Sequence, residues 1–145
     1  IAAGQVQIGN HTWTHKRLIG RAGSDIEADI RRNEEWIQEA FGITARPWFR
    51  PPYGMHNKQT DAFAAGIGYT HIVLWNGTFG DSTAISASQL LNFADRYLKA
   101  STIMLGHANH PAVIELFPQL LEIIQARNLQ PVTLDTMFGT SRATG

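Results

Sequence analysis

The chain has 145 residues, twelve Lys and Arg against twelve Asp and Glu, a formal charge of zero and no cysteine. That length predicts one domain with a buried core, the charge balance argues against nucleic acid or an anionic membrane as partner, and no apolar run approaches the ~20 residues that span a bilayer. Disulfides and thiolate sites are excluded, so any transition-metal site must be built from histidine, carboxylate and water, a donor set suited to zinc and its divalent neighbours.

Ile1-Ala2-Ala3-Gly4 reads as a helix end with its glycine stop, so the sequence is expected to open inside a domain. Gln5 to Gly9 alternates as a short strand, and the polar, glycine-punctuated stretch from Asn10 to Gly23 reads as loop. Ser24 with Glu27 has the pattern of a capping box ahead of a helix from Asp25 to Phe41. Its apolar residues Ile26, Ile30, Ile37, Ala40 and Phe41 keep close to helical spacing, and Gly42 ends it. Pro47 to Arg50 predicts a short strand, Pro51-Pro52-Tyr53-Gly54 a rigid loop, and Lys58 to Ala65 a helix stopped by Gly66.

Tyr69 to Trp75 has the continuous apolar character of a strand buried on both faces, with His71 inside it as a hydrogen-bonded core histidine. After a loop over Asn76 to Thr83, a second capping box at Ser86 and Gln89 opens a helix carrying Leu90, Leu91, Phe93, Ala94, Tyr97 and Leu98. Ser101 to Leu105 predicts the next buried strand and Gly106 to Pro111 a loop. A helix with Leu116, Phe117, Leu120, Leu121, Ile123 and Ile124 follows, in which Pro118 marks either the start or a kink. Val132-Thr133-Leu134 predicts a last strand.

Alternating strands and helices make an α/β protein of βα units, either a barrel or a doubly wound sheet. In both, working residues sit where strands end. Those positions hold His11 and His15, Arg50 and Tyr53, Asp81, and His107 and His110. Several strand ends converging on one chemistry favours the barrel-like option, although five strands are too few to close one.

His11 and His15 have the spacing that puts two imidazoles on one side of a helical turn, against the plainer reading of two unrelated loop histidines. Arg50 could clamp a carboxylate bidentately from its proline-stiffened loop, or be a surface arginine. His107, directly after a strand, stands where a general acid would be useful, or is a polar cap. Trp75 could wall a small pocket or fill the core, and Asp81 could orient a histidine or cap a turn. Phe79, His56 and His110 are candidate cleft contacts with weaker claims.

In their order, His11-Thr12-x-x-His15, Arg50-Pro51-Pro52-Tyr53, Trp75 with Asp81 downstream, and Leu105-x-His107 resemble the polysaccharide deacetylase family, the NodB-homology domain of carbohydrate esterase family four. Ile8-Gly9-Asn10-His11-Thr12 is similar to the family's lead-in, and Val132-Thr133-Leu134 to its closing strand, so the resemblance covers residues 1–145. It implies a distorted (β/α) barrel that hydrolytically removes acetyl groups from N- or O-acetylated sugars with a divalent metal, Zn2+ foremost, with Co2+ or another divalent ion as substitute. The substrate would be an acetylated polysaccharide or oligosaccharide: peptidoglycan, a chitin-type oligomer or acetylxylan. On that resemblance His11 and His15 ligate the metal, Arg50 holds the catalytic aspartate, and the Tyr53 backbone N–H helps to stabilise the oxyanion. His107 is the general acid, Asp81 its orienting carboxylate, and Trp75 and Leu105 wall the acetate pocket.

The family's first motif, an Asp-Asp pair after a hydrophobic strand, has no counterpart here. Asp25, Asp29, Asp61, Asp95 and Asp135 stand in other contexts, and the fourth motif keeps one Asp, Asp81, and no second Trp. The chain is therefore expected to be the C-terminal portion of the domain. The opening strands are expected on a missing or separate segment, with the N-terminal fragment of the domain as a second chain, on which activity would depend. The alternative is a non-catalytic carbohydrate- or metal-binding relative that lacks the Asp pair. A secreted or cell-envelope location follows from the polymer substrates of the family.

Overall fold

A computed structural model describes residues 1–140 and divides the chain into two compact units. The first runs from Ile1 to Leu74 and resumes at Val132; the second is Trp75–Pro131.

In the first unit, α1 (Gly23–Phe41) buries Ile26, Ile30 and Ile37 on one face, and Gly42 closes it in the left-handed conformation with its N–H on the Gln38 carbonyl. The predicted Ser24 box does not form. The helix begins one residue before Ser24, its N-cap is Ala22 with no side-chain cap, and Ser24 falls in the first turn. A Cβ at Gly23 would stand 2.4 Å from the Phe63 ring, so a packing contact, not the local capping pattern, sets this helix start. Phe63 belongs to α2 (Lys58–Gly66), whose N-cap Asn57 makes a reciprocal capping box with Thr60.

Strands β1 (Trp48–Phe49) and β2 (His71–Ile72) pair in parallel, Trp48 opposite His71, and Asn10 adds a parallel bridge to Phe49 on β1. A parallel neighbour after an intervening helix is the βα pattern read from the sequence. The core gathers Leu18, Ile26, Ile30, Ile37, Ala45, Phe49, Ala64, Ile67 and Tyr69.

Three further expectations change in this unit. Gln5–Gly9 is not strand. The Tyr69–Trp75 run contributes only two ladder residues, and His71 is exposed, its Nδ1 2.9 Å from the Thr70 hydroxyl and its ring 4.8 Å from that of Trp48. The core position belongs to Tyr69 instead, which is fully buried. The predicted last strand is the entry to α5 (Leu134–Phe138): Thr133 caps it by accepting the Thr136 N–H, and left-handed Gly139 stops it. A Thr cap and a glycine stop with five residues between them define a short helix better than three apolar-flanked residues define a strand.

In the second unit, β3 (Gly77–Thr78) pairs in parallel with β4 (Met104–Leu105). The Ser86–Gln89 capping box opens α3 (Ala87–Tyr97) as predicted. Helix α4 (Pro111–Ala126) starts with proline, whose fixed φ suits the first helical position, and Pro118 lies inside it. Leu90, Ala94, Leu98, Val113, Leu116 and Leu120 form the core between the two helices. Among the described residues no helix is long and apolar enough to cross a membrane.

Candidate functional site

The His11–His15 segment is a loop, not a helical turn. Thr12 (φ 65°) and His15 (φ 54°) are both left-handed, which for a β-branched threonine costs of order 1–3 kcal/mol. The loop is held from below by two side chains. Asn10, fully buried, accepts the Thr12 N–H (2.9 Å) and the Asn33 amide (3.0 Å), and donates to the Ile30 carbonyl and the Tyr69 hydroxyl. Asp29, on α1 and 6% exposed, accepts the Thr14 N–H (3.0 Å), the Thr14 hydroxyl (2.7 Å) and Arg21 Nη1 (3.0 Å). Its backbone carbonyl takes the Trp13 N–H. Burial pushes the Asp29 carboxyl upward, but the hydrogen bonds from Thr14 and Arg21 outweigh it and leave the group below its ordinary value.

The two imidazoles converge through this loop, with Nε2 of His15 3.1 Å from Nε2 of His11. Nδ1 of His11 lies 2.5 Å from the Arg50 carbonyl oxygen. A carbonyl can only accept, so Nδ1 of His11 carries the proton and its Nε2 presents a lone pair. Two nitrogens bound tetrahedrally to one zinc, each at about 2.0–2.1 Å, would stand roughly 3.3 Å apart. The pair therefore fits two positions of a zinc-type ligand set. No group of three His, Cys, Asp or Glu assembles among the described residues, so these side chains supply two ligands and no third.

Beside the pair, β1 runs into the Arg50–Gly54 loop. Arg50 donates its N–H to the Asn10 carbonyl (2.9 Å), which registers this loop against the histidines. Its guanidinium has no carboxylate within 4.0 Å among the described residues, and burial pushes its pKa down. Tyr53 is left-handed (φ 61°), and its N–H meets no acceptor among the described residues. Its exposed ring makes an edge contact with His15 at 4.7 Å and lies under Arg17 at 5.7 Å. The structure thus brings His11, His15, Arg50 and Tyr53 to one place in the first unit.

The second unit holds a separate pair. Asp81, 2% exposed, follows left-handed Gly80, where a side chain would strike Phe93. One carboxylate oxygen accepts the His107 backbone N–H (2.5 Å) and the other faces Nδ1 of His107 (3.1 Å). Nδ1 is therefore the protonated nitrogen, and Nε2 is left for proton exchange. His107 directly follows β4, and Leu105, in that strand, is partly buried, as is Trp75 ahead of β3. Phe79 packs against Gly106, whose added Cβ would stand 2.5 Å from the ring.

The remaining histidines take other parts. His56 pairs through Nδ1 with Asp61 (2.9 Å), and His110 is the N-cap of α4. Sequence reasoning missed Asn10 and Asp29 as the supports of the histidine loop. Asn10 carried a signal in its place beside His11; Asp29 carried only its polarity on an otherwise apolar helix face.

The polysaccharide deacetylase family model matches residues 1–72. A chitin deacetylase of Pestalotiopsis sp is 28% identical over 142 residues, which is 94% of this chain and 47% of that protein. A family 4 carbohydrate esterase from Streptomyces lividans, solved with acetate, superposes with TM-score 0.81 at 21% identity over 96% of this chain and 71% of the other. A family 4 pseudoenzyme from Bacillus anthracis superposes equally well, at TM-score 0.81 and 18% identity over 93% of this chain and 47% of the other. The chain spans half or less of the length of the curated relatives it matches. The fold is that of the distorted barrel of the NodB type, and the chain belongs to the polysaccharide deacetylase family.

Proposed function

We propose that this chain serves the hydrolytic deacetylation of an N- or O-acetylated carbohydrate, such as peptidoglycan, a chitin-type oligomer or acetylxylan. The observation that carries the reading is the convergence of the His11 and His15 Nε2 atoms with the His11 tautomer fixed by a carbonyl. A divalent ion, Zn2+ or Co2+, held by these two nitrogens would supply a water nucleophilic near neutral pH and polarise the acetyl carbonyl.

The chain's own groups fit the rest of that chemistry. The Tyr53 N–H, free of any acceptor among the described residues, would donate to the oxyanion as the carbonyl carbon becomes tetrahedral. Arg50, with no carboxylate beside it among the described residues, would hold the aspartate that acts as base. His107, its Nδ1 committed to Asp81, would deliver a proton from Nε2 to the departing amine or alcohol. Trp75 and Leu105 would wall the acetate pocket. The base and the third metal ligand are proposed to come from an Asp-Asp segment outside these residues, as a second chain or as part of a longer protein, acting at the cell envelope or outside the cell.

A second reading has a specific basis in the Bacillus anthracis pseudoenzyme of the same fold: a carbohydrate- or metal-binding relative without turnover. Acetate release from acetylated chitooligosaccharide or xylan, with zinc or cobalt and the Asp-bearing segment supplied, separates the two. Turnover that disappears in His107→Ala supports the hydrolase. Sugar binding with no acetate release at any metal supports the binder.

A further inference from the structure

The unusual backbone of the histidine loop needs a cause. Left-handed Thr12 and His15 are both strained, and in this conformation Nε2 of His15 faces that of His11. The local bonds from Thr12 to Asn10 and from His15 N–H to the Thr12 hydroxyl hold the first half of the loop. They leave Trp13 and Thr14, the residues directly before His15, to be fixed by something else.

Asp29 does this from α1. Its carbonyl takes the Trp13 N–H, and its carboxylate takes both donors of Thr14. Hydrogen bonds to a charged acceptor are stronger than those between neutral groups, and two of them act against the loop's strain. Arg21 Nη1 donates to the same carboxylate oxygen as the Thr14 hydroxyl, so every hydrogen bond to the carboxylate favours its ionised form.

We propose that Asp29 is a positioning residue for the histidine pair: a buried carboxylate that acts through Thr14 to set His15 Nε2 against His11 Nε2. Its value as a ligand support rests on the metal-dependent reading above; its effect on ring geometry does not. Asp29 is two steps from the metal position, one beyond the hydrogen-bond partners that usually orient ligating histidines.

The test uses the full chain and the isosteric Asp29→Asn variant, with Thr14→Val as a second way to remove one contact and exposed Asp25→Asn as control. Proton NMR without metal reads the contact between the His11 and His15 rings, alongside contacts among Ile26, Ile30 and Ala64 that report the core. A cobalt titration reads affinity. In Asp29→Asn the ring contact is expected to weaken while the core contacts stay, and cobalt affinity to fall about 10- to 100-fold. Thr14→Val shifts both the same way by less, Asp25→Asn shifts neither, and Asp29→Glu recovers part of the affinity. Wild-type ring contact and affinity in a folded Asp29→Asn protein would overturn the proposal. Loss of core contacts together with the ring contact would reduce Asp29 to a general stability role and overturn it too. If the wild type shows the ring contact, lost in Asp29→Asn, but binds no cobalt, the positioning role holds and the metal reading falls.

Discussion

His11 and His107 each commit Nδ1 to an oxygen, and the two oxygens differ in charge. His11 meets the neutral Arg50 carbonyl; His107 meets the buried Asp81 carboxylate, which also takes its backbone N–H. A carbonyl selects a tautomer and leaves the other nitrogen a lone pair, which suits a ligand. A carboxylate selects the same tautomer and also compensates a positive charge that forms on the ring, which suits a proton carrier. One side-chain type is thus placed in two electrostatic settings by its partner alone.

The comparison breaks most sharply by deleting the rings. His15→Ala or His11→Ala is expected to abolish metal binding, whereas His107→Ala leaves cobalt affinity unchanged and lowers acetate release about 10²- to 10⁴-fold. Metal titration beside the acetate assay reads both; equal metal loss in all three variants would dissolve the distinction. Asp81→Asn sharpens it with a smaller effect, roughly a 10²-fold loss of turnover, because an amide has only one oxygen for the two N–H groups that Asp81 now accepts. The pH profile of the residual activity should change in that variant, which a purely structural loss would not produce.

The smallest effect is on acid stability. Asp29 is held below its ordinary value of 3.8, so its contribution is complete above that value and fades as the pH falls through the lower folded one. Unfolding titrated from neutral into acid should show this dependence in the wild type and lose part of it in Asp29→Asn.

Much of this was legible in the sequence, and the rest was hidden for physical reasons. Helical periodicity placed α1, α2 and α3 to within two residues, because burial of one face is a local pattern. The meeting of Asp81 and His107 could be anticipated because each follows a strand of the same parallel pair. The i, i+4 spacing of His11 and His15 suggested a helical turn and instead sits on a loop. The loop there is bonded to Asp29, which is 15 residues from Thr14, and no local rule encodes such a bond. His71 looked like a core residue because its neighbours are apolar; two ladder residues are too few to bury both faces.

Trp48 ties the ends of the first unit together. Its indole N–H donates to Asp135 at 2.7 Å across 87 positions, its ring packs on Phe138, and Gln7 accepts the Asp135 N–H. The second unit is continuous in sequence and lies wholly between these partners. During synthesis from the N-terminus the first unit has its whole core by Tyr69, and only its last helix waits until Trp75–Pro131 has been made. The first unit can close its core first and yet is completed last, by a contact of very long range, the kind that slows folding.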